Sequence, residues 1–212
     1  MKRFLFITDF DGTATAQDFF LQIMYRYKHK KIFSKRPSNS FDFLSDILGN
    51  IKITEQQLQK EIEYIPLDPF FVDTIKTIKE FGGDVVVLSA GSTYYIKRKL
   101  AMVGLDDIDI ISNKGIYKDG GIKLIRDPNN EFFCDMFGID KTKVVKHFKK
   151  YYKTIAYVGD SRVDFDACKL CDIRFAKNTL SRIFDLFLMS YYKFENFDDI
   201  KKVLIKNLGN IN

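Results

Sequence analysis

The chain has 212 residues, of which 46% are hydrophobic and 29% are charged, and its formal net charge is +6. This length fits one domain, or one domain with a small insert, and the apolar content is enough for a sizeable core. The composition excludes a disordered or low-complexity chain, and no apolar run approaches the length of a membrane span, so we expect a cytoplasmic protein with no membrane partner.

Four short apolar runs predict the strands of a sheet. They cover residues 4–8, 85–88, 155–158 and 173–176, and each is bounded by Gly, Asp or other turn residues. Strands that are nearly all apolar and that alternate with helices predict an α/β fold with a parallel sheet covered by helices on both faces. Apolar spacing predicts these helices over residues 70–81, 93–103, 143–152, 164–170 and 180–188.

Residues 15–67 interrupt the alternation because they contain no convincing buried strand. Their apolar spacing predicts helices over residues 18–27, 41–48 and 55–63. We therefore expect a catalytic core formed by residues 1–14 and 68–212, with residues 15–67 inserted as an all-helical cap. A second addition is a β-hairpin within residues 108–125, which the turn sequence Asp-Gly-Gly indicates.

The densest basic run lies in the predicted cap. It consists of Lys28-His29-Lys30-Lys31, followed by Lys35 and Arg36. The run fits a solvated helix end or a guide for an anionic substrate, whereas nucleic-acid binding is disfavoured because no reader motif accompanies it.

Cys168 and Cys171 form a C-x-x-C pair that falls within a predicted helix. Without a second pair of ligands, core packing is the favoured interpretation over redox or metal chemistry.

The first strand ends in the sequence Asp9-Phe10-Asp11-Gly12-Thr13. Two carboxylates two residues apart on extended backbone point to the same side, and they repel each other unless a cation lies between them. Asp9 is a candidate nucleophile at phosphorus, and Asp11 is then placed to protonate the leaving oxygen and later deprotonate water. Gly12 and Thr13 offer backbone N–H groups to a phosphate oxygen.

The second and third strands end in residues suited to the same reaction. Ser89, Ala90 and Gly91 follow the second strand and provide a hydroxyl and backbone N–H groups for phosphate. Asp160 follows the third strand and can complete the oxygen ligands of a metal ion, for which Mg²⁺ fits best. Asp164 is placed to hold a metal-bound water or a nearby Lys. Each fragment alone also fits a turn or a helix cap, but together they indicate phosphoryl transfer.

These motifs resemble those of the haloacid dehalogenase superfamily of phosphatases. Asp9 to Thr13 match D-x-D-G-T, Ser89 matches the strand-ending Ser or Thr, and Gly159 to Asp164 match G-D-x-x-x-D. The resemblance covers nearly the whole chain. It implies a Rossmann-like core and a magnesium-dependent phosphatase that forms an aspartyl-phosphate.

The resemblance also implies a role for each matched residue. Asp9, the backbone carbonyl of Asp11, and Asp160 would hold the Mg²⁺ ion, and Asp164 belongs to the same acidic set. One Lys at a helix start would neutralise charge on the nucleophile and the phosphoryl group. Lys141 is the chosen candidate for this Lys, and the rivals are Lys143 and Lys146.

A helical cap after the first motif resembles the phosphoserine-phosphatase branch of the superfamily. Within it, the run from Ala167 to Asp172 resembles the phosphatases that act on 2-hydroxy-3-keto-5-methylthiopentenyl-1-phosphate, although this chain lacks their cysteine-rich segment. The resemblance makes Asp18 and Arg36 candidates for binding substrate on the cap side, and Asp18 also fits a helix N-cap.

We thus expect a small phosphorylated metabolite as substrate. Two alternatives remain open from the sequence. One is a phosphotransferase with the same intermediate and an alcohol acceptor. The other is a non-catalytic protein that binds a phosphate ligand, which the intact pair of Asp9 and Asp11 argues against.

Overall fold

The computed structural model describes residues 2–27 and 39–208. The chain divides into two compact units. The first unit comprises Met1–Ala16, Leu67–Leu88 and Lys141–Asn212, and the second comprises Gln17–Pro66 and Ser89–Asp140. The basic run at residues 28–36, including the substrate candidate Arg36, lies outside the described residues.

The secondary structure alternates between strands and helices along most of the chain. Within the described ranges, no helix combines the length and the apolar character needed to cross a bilayer. The strands are β1 Lys2–Thr8, β2 Asp84–Ser92, β3 Asp109–Asn113, β4 Gly115–Lys118, β5 Gly121–Leu124, β6 Phe133–Cys134, β7 Gly138–Ile139, β8 Tyr152–Gly159, β9 Ile173–Ala176 and β10 Tyr192–Lys193. The helices are α1 Phe19–Tyr27, α2 Ser40–Gly49, α3 Glu55–Glu63, α4 Phe71–Glu80, α5 Thr93–Met102, α6 Lys141–Phe148, α7 Phe165–Cys168, α8 Asn178–Leu186 and α9 Phe197–Leu208.

Six strands form the main sheet, in the order β10-β9-β8-β1-β2-β3. β1 pairs in parallel with β2 and with β8, and β9 pairs in parallel with β8 and β10. When these six strands are numbered in the order in which the chain forms them, their order in the sheet is that of the Rossmann fold. The point at which this strand order reverses lies between β1 and β8. The predicted α/β fold with a Rossmann-like parallel sheet is confirmed.

The central strand β1 is apolar because it is covered on both faces. Leu5, Phe6 and Ile7 are completely buried. A strand buried in this way cannot alternate polar and apolar residues, which is why its sequence reads as one continuous apolar run.

The sheet extends further at both edges than the sequence predicts. Asp109–Asn113 pairs at the edge of the main sheet as β3, so the added hairpin consists only of β4 and β5. The two-residue strand β10 and helix α9 were not predicted. The predicted helix 143–152 is wrong at both ends, since α6 runs from Lys141 to Phe148 and Tyr152 begins β8.

The predicted helices between residues 18 and 63 are present as α1, α2 and α3. A buried carboxylate, Glu61 of α3, links two of them. Gln22 donates its side-chain amide to Glu61 Oε2 at 3.0 Å, and Arg26 and Tyr27 contact Glu61 Oε1 at 3.1 and 2.9 Å. The second compact unit also includes residues 89–140. The division into a 15–67 cap and a separate core therefore stays a prediction.

Cys168 and Cys171 are free thiols in the core of the first unit. Burial raises the pKa of Cys168 well above its usual value and raises that of Cys171 to about 12. Both thiols stay protonated at neutral pH, which agrees with the interpretation of this pair as core residues.

Helix α2 and strand β5 approach so closely that only a glycine fits between them. A Cβ atom at Gly121 would lie 2.5 Å from the carbonyl oxygen of Leu48 and 2.7 Å from that of Gly49. Backbone atoms cannot rotate away as side chains do. A Cβ at Gly49 itself would lie 3.4 Å from the flexible side chain of Lys123 and at an ordinary contact distance of 3.8 Å from the carbonyl oxygen of Ile122.

We predict that Gly121→Ala lowers the free energy of unfolding by about 1–3 kcal/mol, because the added methyl group overpacks the contact with α2. Urea denaturation followed by circular dichroism measures the change. Gly49→Ala is the matched control on the other side of the contact. It should leave stability unchanged or raise it by up to about 1 kcal/mol, since alanine favours helix. Equal midpoints for Gly121→Ala and the unmodified protein would contradict the prediction.

Candidate active site after strands β1 and β8

The candidate site lies where β1 and β8 end side by side. Their register aligns Thr8 with Val158, and the backbone N–H of Asp9 donates to the carbonyl of Val158 at 2.9 Å. Asp9 follows β1 directly and Asp160 follows β8 directly. Since parallel strands end at the same edge of a sheet, both carboxylates stand at the reversal point, where α/β proteins bind their ligands.

Three carboxylates gather at this point. Asp9, Asp160 and Asp164 each place one oxygen within 4.8 Å of the others' oxygens. An octahedral Mg²⁺ ion holds each ligand oxygen at about 2.1 Å, so carboxylate oxygens gathered as closely as these are candidates to share one ion. The donor set, which consists of carboxylate oxygens, is the one that this hard cation prefers.

The tight turn Phe10–Ala14 brings a hydroxyl between two of these carboxylates. Thr13 Oγ1 donates to Asp9 Oδ2 at 3.0 Å and to Asp160 Oδ1 at 3.2 Å. The turn depends on Gly12, whose φ of 74° favours glycine. The Gly12 N–H donates to Thr15 Oγ1 at 3.1 Å. The side chain of Thr13 thus contacts the acidic cluster, whereas the sequence pointed only to its backbone N–H.

Lys141 supplies a buried positive charge to the same cluster. It is the first residue of α6 and is only 5% exposed. Its ammonium group donates to Asp9 Oδ1 at 2.6 Å and to Asp164 Oδ1 at 2.7 Å. The rival candidates Lys143 and Lys146 are exposed on other faces of α6. Among the three predicted lysines, the structure therefore brings Lys141 to Asp9.

Asp164 is surrounded by donors on both of its oxygens. Its Oδ1 accepts from Lys141 and also from the hydroxyl of Tyr157 at 2.9 Å. Its Oδ2 accepts from the backbone N–H and the hydroxyl of Ser161, at 3.1 and 3.0 Å, and from the N–H of Asp160 at 3.3 Å. A carboxylate engaged in this way holds Lys141 and the turn after β8 in a fixed geometry.

The electrostatics of the cluster separate Asp164 from the other two carboxylates. Burial raises the pKa of Asp9 well above its usual value, against the opposing effect of Lys141. Burial and the neighbouring Asp164 also raise the pKa of Asp160. Burial acts in the same direction on Asp164, but Lys141 and the hydrogen bonds from Ser161 and Tyr157 together outweigh it and lower the pKa. Burial thus disfavours the ionised forms of Asp9 and Asp160, and a cation bound between them would favour those forms.

The same carboxylates determine the charge of Lys141. Burial alone would lower its pKa, but Asp164 and Asp9 raise it above the usual value. The ammonium group therefore remains charged throughout the physiological pH range, as a residue that neutralises a phosphoryl group must.

The predicted phosphate-binding residues after the second strand belong to the other compact unit. Ser89, Ala90 and Gly91 continue β2 in extended conformation, and α5 begins only at Thr93. Ser89 is buried, and its hydroxyl accepts the N–H of Gly91 at 2.9 Å. The predicted helix over residues 93–103 is present as α5, which begins at Thr93, whereas the predicted strand 85–88 is too short, since β2 continues to Ser92.

Two further predicted residues, Asp11 and Asp18, do not belong to the acidic cluster of Asp9, Asp160 and Asp164. Asp11 is half-buried and has extended backbone angles of −69° and 124°. Asp18 directly precedes α1, and its backbone carbonyl accepts the N–H of Gln22 at 3.2 Å, as the carbonyl of an N-cap residue does.

Two residues that the sequence did not single out also belong to the site: Tyr157 contacts the cluster at Asp164, and Lys177 contacts the neighbouring turn at Thr13. Tyr157 lies within the apolar run of β8, where a completely buried hydroxyl requires a partner. Lys177 follows β9, and its ammonium group donates to the backbone carbonyl of Thr13 at 3.1 Å. Two features of the sequence could have indicated these residues: a tyrosine inside an apolar strand, and a lysine directly after a strand of the same sheet.

Comparison with known families and sequences connects this chain to phosphatases. A family model described as "Putative Phosphatase" matches residues 4–182. A polyol phosphate phosphatase of Saccharomyces cerevisiae is 28% identical over 242 residues, which cover 96% of this chain and 92% of the relative. A 2-hydroxy-3-keto-5-methylthiopentenyl-1-phosphate phosphatase of Exiguobacterium sibiricum is 23% identical and covers 92% of this chain and 93% of its own length.

Comparison with solved structures gives the same fold. A substrate-bound phosphoserine phosphatase superposes with a TM-score of 0.69 at 19% identity, over 96% of this chain and 99% of the other. A phosphoserine phosphatase with an analogue of the phospho-aspartyl intermediate superposes with a TM-score of 0.67 at 19% identity, over 96% and 98%. At these identities the likeness establishes the shared fold.

We predict that Asp164→Asn destabilises the protein by about 3 kcal/mol, because the buried cluster loses the charge that pairs with Lys141 and an acceptor for the Ser161 N–H. Thermal and urea denaturation measure the change. Asp166→Asn, at a partly exposed ion pair with Lys169, is the control and should cost less than about 1 kcal/mol. Similar losses in the two variants would contradict this account of the cluster.

Proposed function

The chain belongs to the family described as "Putative Phosphatase", and we propose that it hydrolyses small phosphate monoesters with Mg²⁺ through an aspartyl-phosphate on Asp9. It is a phosphoric monoester hydrolase, as its relatives are. The predicted resemblance to haloacid dehalogenase phosphatases of the phosphoserine-phosphatase branch is confirmed. The observation that carries the proposal is the buried contact from Lys141 to Asp9, because it keeps a nucleophilic carboxylate beside a permanent positive charge.

Asp9 and Asp160, together with the backbone carbonyl of Asp11, are the proposed ligands of the metal. The raised pKa of both carboxylates supports this assignment, since each gains from a nearby cation. Mg²⁺ in such a site supplies a positive charge that polarises the phosphoryl oxygens. Asp164, whose oxygens already accept five donors, is proposed to hold Lys141 in place.

The reaction proceeds in two displacements at phosphorus. A carboxylate oxygen of Asp9 forms a bond to phosphorus, and the bond from phosphorus to the leaving oxygen breaks as Asp11 transfers its proton to that oxygen. A water oxygen then attacks the same phosphorus, Asp11 accepts a proton from the water, and the Asp9 carboxylate is released with inorganic phosphate. Lys141 offsets the negative charge on Asp9 and on the phosphoryl group.

Phosphate binding and substrate choice are assigned to the remaining candidates. Ser89 and the backbone groups of Gly12, Thr13, Ala90 and Gly91 are the proposed phosphate contacts. To make these contacts, the N–H groups of Gly12 and Gly91 would exchange their present acceptors, Thr15 and Ser89, for phosphate oxygens. Residues 15–67 are proposed as the cap that selects the substrate, with Asp18 and Arg36 as candidate contacts on that side. The relatives act on a polyol phosphate and on a phosphorylated keto metabolite, which supports a small phosphorylated metabolite as substrate.

We predict phosphate release from p-nitrophenyl phosphate in the presence of Mg²⁺, and at least about a 10³-fold lower kcat for Asp9→Asn, because the amide cannot attack phosphorus. Asp185→Asn, on the exposed side of α8, is the control and should retain full activity.

We expect EDTA to abolish the activity of the wild-type enzyme, and added Mg²⁺ to restore it. Wild-type turnover by folded Asp9→Asn would refute the nucleophile, and activity that survives chelation would refute the metal. Adding an alcohol acceptor tests for phosphotransfer.

We also predict that Asp11→Asn accumulates the phosphorylated enzyme. p-Nitrophenol leaves without needing a proton, so its release should persist as a burst of about one equivalent per site. The following hydrolysis should slow by about 10²–10⁴-fold, because no base activates the water. Rapid-quench measurement of both products resolves the two steps. An alkyl phosphate, whose leaving group requires the proton, should show no such burst. Unchanged single-turnover kinetics would argue against the role of Asp11.

A further inference from the structure

A second lysine, Lys177, lies at the edge of the acidic cluster and has no part in the proposed reaction. It follows β9 directly, and its ammonium group donates to the backbone carbonyl of Thr13 at 3.1 Å. The same ammonium group lies 5.1 Å from the ring centroid of the buried Phe194. Its side chain is therefore held in one place rather than extended into solvent.

The contact with Thr13 matters because this residue joins the two carboxylates proposed to bind the metal. Its hydroxyl donates both to Asp9 and to Asp160. The next residues of the turn are fixed by backbone contacts, in which Asp68 donates to the carbonyl of Ala14 at 2.9 Å and Thr15 bridges to Leu67. Lys177 thus anchors the turn at the residue whose hydroxyl spans the site.

The segment that carries Lys177 also contacts Asp160. The backbone N–H of Leu180 donates to the Asp160 carbonyl at 2.9 Å. The side-chain amide of Asn178 contacts Asp160 Oδ2 at 3.4 Å. One short stretch of chain after β9 is therefore connected to both carboxylates, directly to Asp160 and through Thr13 to Asp9.

The charge of Lys177 has two opposite consequences for a cation at this site. Burial lowers the pKa of its ammonium group, while Asp160, Asp68 and Asp9 oppose that effect. As a positive charge, it repels a metal ion and would weaken binding. As an anchor, it keeps the carboxylate oxygens in a geometry that one ion can share, and would strengthen binding. The two effects predict changes of opposite sign when the charge is removed.

We propose that Lys177 is a positioning residue for the metal, and that its anchoring of Thr13 sets the spacing between Asp9 and Asp160. The inference deepens the proposed function, and it rests on Mg²⁺ binding at these two carboxylates. Partners that orient metal ligands typically contribute 10–100-fold to metal affinity. In this assignment the anchoring effect is the larger of the two, which the sign of the change in Mg²⁺ affinity tests.

The test is calorimetric titration of Mg²⁺ into the substrate-free protein. Lys177→Met keeps the length and apolar character of the side chain but removes its charge and its donor group. We expect its Kd for Mg²⁺ to rise by about 10-fold or more. Lys149→Met is the matched control, because Lys149 also donates to a backbone carbonyl, that of Leu170 at 2.7 Å, in the same compact unit. Its Kd should equal that of the wild type.

Two further variants separate anchoring from charge and guard against loss of folding. Lys177→Gln retains a donor without the charge and should bind Mg²⁺ more tightly than Lys177→Met. Lys177→Arg retains both and should lie nearest the wild type. Circular dichroism verifies that each variant is folded. If Lys177→Met is not folded, a higher Kd for Mg²⁺ in Lys177→Gln than in the wild type supports the inference, and an equal or lower Kd overturns it.

Each remaining result overturns the inference in a distinguishable way. Tighter Mg²⁺ binding by the Met variant would mean that charge repulsion dominates. A lower Tm with an unchanged Kd would mean that Lys177 only stabilises the fold. Absence of Mg²⁺ binding by the wild type would remove the metal from the proposed function, and the inference with it. If the wild type binds Mg²⁺ and every Lys177 variant binds it with the same Kd, the inference is wrong but the proposed function still stands.

Discussion

The buried ammonium group of Lys141, held between Asp9 and Asp164, is the interaction on which the rest of the site depends. Carboxylates removed from water at close range are costly unless a positive charge and hydrogen-bond donors accompany them. Lys141 meets this requirement fully for Asp164 and partly for Asp9. Asp9 and Asp160 lack full compensation, which makes the site suitable for a cation, and Lys141 together with that cation would suit the site to a phosphoryl group. A parallel sheet provides the geometry, because β1 and β8 end at the same edge.

The fold and much of the site could be predicted because they depend on local patterns. Apolar runs located the four inner strands, and the polar residues after them located Asp9 and Asp160. The choice of Lys141 needed the motif resemblance, since Lys143 and Lys146 stand in the same sequence region. Lys141 differs from the other two lysines in being buried, and which lysine is buried depends on which face of α6 packs against the sheet. Both predicted boundaries of that helix were wrong. The first turn of α6 resembles a polar loop in sequence, and the last residues of the predicted helix belong to a turn and to β8.

Other features depend on contacts between distant parts of the chain, which one sequence does not reveal. Tyr157 looks like an ordinary residue of an apolar strand until its hydroxyl is seen to donate to Asp164. Lys177 looks like a polar residue between a strand and a helix until it is seen to contact Thr13, which is 164 positions away in sequence. The edge strand β10 is two residues long and carries no periodicity. Such elements form because neighbouring strands offer them partners.

The buried C-x-x-C pair has a practical consequence for work on this protein. Cys168 and Cys171 are inaccessible and their thiols stay protonated, so alkylating reagents and disulfide exchange should leave them untouched while the fold is intact. Cys134, the one remaining cysteine of the chain, is partly accessible and belongs to the other compact unit. A maleimide dye would therefore attach at one position, and the native sequence already provides a single-site fluorescent label.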